Sequence, residues 1–417
     1  MKTIEISIDG RLRAARVASR RLAALEASRA NEFLEALAAE IRDSAETLLQ
    51  ANARDLEKMD PANPMADRLA LTPARIADIA DGVAAVAALP EPQGRVLNRV
   101  TRPNGMTITK VSVPFGVVGV IYESRPNVTF DVFALCFKSG NACVLKGGHE
   151  AAETNRAAVG VIARVLECFG LPAACVTLLE GHEETAAMLG ARGLIDVIIP
   201  RGSRRLIDFV RDNARVPVIE TGAGVCHTYF HSSGDTATCS SLVFNAKTRR
   251  VSVCNALDCL LVDRARLADL PAVCWPLAEK NVEIHADADA YAALEGAYPH
   301  LVNASDEDFG REWLDYKMTV KTVEDLDDAL DYIERYGSHH SECIVTENAE
   351  AAGRFLSTVD AACVYANVST AFTDGGQFGM GAEIGISTQK LHARGPMALP
   401  ELNTYKYLIT GAGQTRR

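Results

Sequence analysis

Cys254 is the first candidate for chemistry, in the stretch KTRRVSVCNALDCLLV. It follows a basic run and falls at a predicted turn just ahead of a helical or strand segment. Thiols beside arginines or at helix N-termini hold more of the nucleophilic thiolate. From position alone a buried, inert cysteine is the commoner case, and Cys259, inside an apolar run, takes that reading. Asn127, in YESRPNVTFD, could present its amide to a developing oxyanion, with the Cys254 backbone N–H as second donor. A turn former after Pro126 accounts for it equally well. Arg125, Arg249 and Arg250 are candidates to hold a phosphate or carboxylate through bidentate hydrogen bonds, against the ordinary reading of solvated arginines. His340, in the pair His339-His340, is a candidate lining residue for a substrate pocket, although a solvated turn is the more usual setting. His227 and His231 stand four apart in a predicted strand without evident further ligands, so they are read as structural and no metal is expected.

A second group of residues suits a nucleotide. Neither GxGxxG nor GxxxxGK[ST] occurs, which removes the usual dinucleotide fingerprint and the ATP P-loop. Lys146 and Gly147 end a predicted strand, and His149 stands where a ribose-binding acid would favour NAD. With no carboxylate there, a 2′-phosphate would meet Lys146 and His149 without repulsion. Gly202, Ser203 and Arg204 open a predicted helix whose backbone N–H groups could bind a pyrophosphate. A plain N-cap explains Ser203 as well. Gly222, in TGAG, completes the candidate set.

The elements that must position these groups follow from the pattern. Ala, Leu, Glu and Arg recur at helical spacing over 11–59 and again over 73–88, predicting an all-helical N-terminal layer. Asn104-Gly105 between two β-prone runs predicts a protruding hairpin over 96–113. VVGVIY, ACVLKG, CVTLLEG, IDVIIPRG and VPVIETGAG then alternate with helical patterns. They predict a doubly wound parallel sheet of five strands, which binds ligands at the carboxyl ends of its strands. LDCLLV, NVEIHA, ECIVTEN and CVYANV repeat the alternation over 237–366 in a second α/β unit. The expected domains are 1–95 with 114–236, and 367–396 packing back, for the nucleotide; 237–366 for catalysis; and 96–113 with 397–417 for oligomerisation. The tail strand TYKYLIT would need a partner for its edge, and the hairpin of a neighbouring subunit is the expected one.

At 417 residues the chain exceeds a single core, and 48% hydrophobic with 23% charged residues is an ordinary globular composition. A net charge of -11 gives no footprint for nucleic acid and requires any anion site to be locally concentrated. No apolar run spans a membrane and no signal peptide is evident, so a cytoplasmic chain is expected. Eleven scattered cysteines without a CxxC pair suit reduced thiols.

The segments VPFGVVGVIYESRPNVT, GNACVLKGG, CNALDCLLV, YGSHHSECIVTEN and GMGAEIGIST together resemble the γ-glutamyl phosphate reductase family, part of the aldehyde dehydrogenase superfamily, over nearly the whole chain. The resemblance implies an aldehyde dehydrogenase-like α/β fold with a small β oligomerisation element. It implies Cys254 as nucleophile, Asn127 as oxyanion donor and NADPH/NADP around Lys146 and Ser203. It also implies L-glutamyl 5-phosphate as substrate, proline synthesis as the setting, a homo-oligomer, and a glutamate 5-kinase as candidate partner. Val251 stands where the family often has Pro, and Asp258 where it often has Glu; neither touches the nucleophile. Hydrolytic aldehyde dehydrogenases are a looser match, because Ser252 and Val253 replace their Gly-Gln stretch; Glu220 resembles their water-activating glutamate in place only. The rival readings are such a hydrolytic enzyme and a nucleotide-binding scaffold that kept the fold without the chemistry.

Overall fold

The computed structural model describes residues 7–60, 66–123 and 125–416. The predicted nucleotide domain's residues 1–6, 61–65 and 124, and Arg417 of the tail, lie outside the described residues. The chain divides into two compact units, Met1–Thr221 with Gly379–Gly385 and Met397–Arg417, and Gly222–Phe378 with Ile386–Pro396.

In the first unit the helical layer forms as the spacing predicts, as Ile8–Leu22, Ala27–Asp43, Ala45–Leu56 and Pro73–Ala88. Thr72 accepts from the Arg75 N–H, and Pro73 begins the last of these where its missing donor costs nothing. Phe33, Leu34, Leu37 and Ile41 form one buried stripe of Ala27–Asp43. Phe33 stacks on Phe137 of the helix Asn127–Lys138 at 4.1 Å between ring centroids. That helix follows the first strand of a four-stranded parallel sheet, ordered Val176–Leu178, Ala142–Lys146, Val117–Tyr122, Val197–Arg201. The central strands are near-continuous runs of buried apolar residues, as expected when both faces are covered.

The fifth predicted strand does not form. The segment 216–224 meets the sheet through a single bridge, Val218 to Ile198, since Pro217 has no N–H to donate and glycines follow. The hairpin does form, Val96–Thr101 against Thr107–Pro114, with Gly105 at φ +84° in its turn. The expected partner for the tail is corrected: Asn403–Thr410 pairs antiparallel with Thr107–Pro114 of its own chain, from Asn403↔Pro114 to Thr410↔Thr107. That ladder occupies one edge of the tail strand, and its other edge is the outer edge of the three-stranded sheet.

The second unit holds a seven-stranded parallel sheet, ordered Leu301–Asn303, Glu283–Ala286, Lys317–Val323, Leu257–Asp263, Cys226–Phe230, Ser341–Val345, Cys363–Ala366. Residues 222–236, 367–378 and 386–396 belong here rather than with the nucleotide domain, because Cys226–Phe230 lies in the middle of this sheet. Helices Thr236–Thr248, Leu326–Tyr336 and Ala349–Thr358 are capped by Asp235, Asp325 and Asn348. Since neighbouring strands run parallel, the segments leading into them, 222–225, 249–256 and 337–340, gather at the sheet's amino-terminal edge.

Candidate active site

Cys254 lies in the turn ahead of Leu257–Asp263 and is partly exposed, whereas Cys226, Cys259, Cys274 and Cys343 are buried. Burial pushes the Cys226 and Cys259 thiols well up, which keeps them protonated and inert. The turn is seated by its backbone. A Cβ at Gly224 would fall on the carbonyl of Cys254, so only glycine permits this approach. The Cys226 thiol donates to the Cys254 carbonyl at 3.2 Å. On the far side the buried Asn255 amide donates to the carbonyls of Ala371 and Thr373, and Thr370 donates to the Asn255 carbonyl at 3.0 Å. The Gly224 segment is itself held, its N–H donating to Glu312 Oε1 at 2.9 Å and the Val225 N–H to Ser338 Oγ at 2.8 Å. Gly224, Cys226, Asn255 and Glu312 were not among the sequence candidates, since their partners lie far off in the chain.

Beneath this edge is a buried polar group. His340 is fully buried rather than in a solvated turn, and burial pulls its ring down to about 4, so it is neutral at pH 7. Having no exposed surface, His340 is not placed to touch a substrate. His227 Nδ1 and its backbone N–H both meet Glu342 Oε2, at 2.8 and 3.0 Å. His231 bonds Ser233 and Thr346. Lys247 stands 3.8 Å from Asp258; burial lowers the amine and raises the carboxyl to about 7. Arg249 and Arg250 are exposed, shortly before Cys254 in the chain. Gly222 packs against Thr388, whose Oγ1 stands 2.5 Å from the place of its missing Cβ.

In the first unit the sheet's carboxyl edge gathers Arg125, Asn127, Lys146, Gly147, His149, Gly202, Ser203 and Arg204. Asn127 opens its helix, exposed, and donates to Asp131 Oδ2 at 2.8 Å. Lys146 is half-buried and donates to the Gly147 carbonyl at 2.8 Å; burial lowers it, against Glu150, Glu180 and Glu184. Two carboxylates change the expected site. Glu123 accepts from the Ser203 N–H at 2.8 Å and from its hydroxyl at 2.7 Å, so the chain's own acid takes the helix N-terminus expected for pyrophosphate. Glu150 brings a carboxylate within 3.1 Å of the His149 ring, which corrects the reading of an acid-free position. The half-buried Lys146 ammonium suits a dinucleotide's phosphate, whereas the Gly147 carbonyl is taken by Lys146 and Asn155 fills the place of its missing Cβ. Glu220 is 3.6 Å from Arg211.

The family model described as "Aldehyde dehydrogenase family" matches residues 5–279. A γ-glutamyl phosphate reductase from Parabacteroides distasonis is 59% identical over 99% of this chain and 100% of its own length. Another from Pelodictyon phaeoclathratiforme is 56% identical over 98% and 99%. The crystal structure of γ-glutamyl phosphate reductase from Thermotoga maritima superposes with a TM-score of 0.94 at 38% identity, covering 98% of this chain and 99% of that one. An acetylating aldehyde dehydrogenase from Geobacillus thermoglucosidasius shares the fold at 17% identity, TM-score 0.69, over 98% and 97% of the two chains.

Proposed function

The chain belongs to the aldehyde dehydrogenase family, and from that membership we propose that it reduces L-glutamyl 5-phosphate to L-glutamate 5-semialdehyde and phosphate, a step of proline biosynthesis. The observation that carries the mechanism is the seat of Cys254, a partly exposed thiol whose backbone is pinned by Gly224, Cys226 and Asn255. Its thiolate attacks the acyl carbon, the carbon–oxygen bond to the phosphoryl group breaks, and phosphate leaves with the electron pair. The product of that half-reaction is a thioester on Cys254, which splits one hard displacement into two easier steps. The Asn127 amide and the Cys254 N–H are the proposed donors to the oxyanion. Arg125, Arg249 and Arg250 are the proposed cations for the substrate's phosphate and carboxylates.

A nicotinamide cofactor, when bound, supplies the hydride that takes the acyl group to the aldehyde. Lys146, Gly147 and Arg204 are the residues proposed to hold it. The proposed form is NADPH, favoured by the Lys146 ammonium; the Glu150 carboxylate works the other way. A homo-oligomer is also proposed. Val100, Tyr407 and Ile409 stand exposed on one face of the three-stranded sheet, an apolar surface that suits contact with another copy.

Mass spectrometry tests the thioester. The enzyme incubated with glutamate semialdehyde and NADP, without phosphate, should carry a glutamyl adduct on the peptide containing Cys254. An adduct on another residue, or none, would reject the mechanism.

A further inference from the structure

A side-chain amide can stabilise an oxyanion only when its nitrogen, and not its carbonyl oxygen, faces the developing charge. The group is planar and nearly symmetric in shape, so it fits either way round until a neighbour selects one orientation. Asn127 opens the helix Asn127–Lys138, and its Nδ2 donates to Asp131 Oδ2 at 2.8 Å, one turn further along the same face. An ionised carboxylate accepts and does not donate, so it holds the nitrogen end of the amide and rejects the flipped one. One N–H is spent on Asp131, and the amide's second N–H is the one left for an oxyanion.

The backbone under this pair is fixed by the core. Val128, Phe130, Val132 and Phe133 on either side of Asp131 are buried. In the same turn the Thr129 hydroxyl donates to Asn155 Oδ1 at 2.9 Å. Asp131 itself is half-buried. Burial pushes its carboxyl up, while the Asn127 hydrogen bond and the charge of Arg201, at the end of the strand Val197–Arg201, draw it back toward the ionised form. A pair at this spacing adds little to a helix, and the carboxylate gives up solvation where it stands, so helix stability alone is a weak reason for it.

We propose that Asp131 is a positioning residue for the reduction: it orients the Asn127 amide so that an N–H, rather than the carbonyl, meets the oxyanion. The proposal rests on the reading of Asn127 as oxyanion donor, and it gives Asp131 no contact with substrate or cofactor.

Steady-state kinetics of the full-length enzyme with glutamate semialdehyde, NADP and phosphate test this in a double-mutant cycle. Asn127→Ala should lower kcat about 100-fold, as loss of one oxyanion donor does. Asp131→Ala should lower kcat about tenfold with KM unchanged, because an unoriented amide still donates part of the time. Asp131→Asn, whose side-chain carbonyl can accept the same hydrogen bond, should recover most of that loss. In the Asn127→Ala background Asp131→Ala should cost nothing further, since no amide remains to orient. Should Asp131→Ala melt far below wild type, Asp131→Leu, which keeps the volume and accepts nothing, takes its place in the cycle with the same expectations. An equal fall in kcat in both backgrounds, wild-type kcat without the carboxylate, or no recovery in Asp131→Asn overturns the proposal. Wild-type kcat in Asn127→Ala overturns instead the reading on which it rests.

Discussion

Two parallel sheets in this chain present their candidate groups at opposite ends. In the four-stranded sheet the candidates follow the strands, at Lys146, Gly202 and Ser203. In the seven-stranded sheet they precede them, at Gly224, Cys254 and His340. The means of positioning differ as well. At the first edge side-chain carboxylates, Glu123 and Glu150, occupy the places offered to a ligand. At the second, backbone contacts seat the nucleophile, and a glycine is required to let them form. Anion binding at the first edge is therefore adjustable by single charges, whereas geometry at the second tolerates almost no added volume.

The sharpest way to break this contrast is at the thiol. Cys254→Ser should lose turnover by several orders of magnitude and still bind NADPH, because a serine hydroxyl is rarely ionised. Turnover near wild type would remove the nucleophile from the account. Next in size is Gly224→Ala, whose methyl would displace the Cys254 carbonyl. A shift of about 1 Å can cost roughly 100-fold in rate, so kcat should fall about that far with the KM for NADPH unchanged. A melting temperature far below that of wild type would instead indicate general unfolding.

Stability against pH probes the buried group under the second edge. His340 titrates at about 4 in the folded chain and near its ordinary value when unfolded. Between those values only the unfolded chain holds the proton, so stability falls as pH drops from about 6.5 toward 4, by roughly 3 kcal/mol. Glu342, raised by burial, gives an opposite slope above its ordinary value, losing stability as pH rises. The difference between wild type and His340→Asn cancels Glu342 and should expose the His340 slope in urea melts across that range. A flat difference curve would mean that the ring is not desolvated.

The smallest effect is predicted at the first edge. Glu123→Gln removes the charge from the N-terminus of Arg204–Asn213, and such a charge is worth about 0.3–1 kcal/mol. The KM for the cofactor should fall roughly two- to fivefold if an anion takes that place. An increase would show that Glu123 holds the loop in its binding shape.

Much of this was legible from local pattern. The helical layer, the Asn104-Gly105 hairpin, the tail strand and four of five strands around the nucleotide edge all carry short-range signals of period or turn chemistry. The turn at Cys254 was legible too, from a basic run meeting an apolar one. What escaped depends on contacts between distant segments. VPVIETGAG has strand composition, yet Pro217 lacks the donor that a ladder needs. Lys317–Val323 mixes lysine and threonine into a central strand, so its composition does not mark it as one. His340 reads as a loop residue beside Gly337-Ser338, and only the sheet shows it buried. Glu123 and Glu150 lie within a few residues of predicted site groups, but which way a carboxylate folds back is not encoded in spacing. The tail's pairing with its own hairpin escapes the sequence because strand propensity gives no indication of which edge is nearest.

Acyl transfer to phosphate is the most direct test of the central claim. Purified enzyme with glutamate semialdehyde and NADP should reduce NADP at a rate that saturates with inorganic phosphate and is negligible without it. Sustained turnover in phosphate-free buffer, with glutamate as product, would contradict the account and identify water as the acyl acceptor.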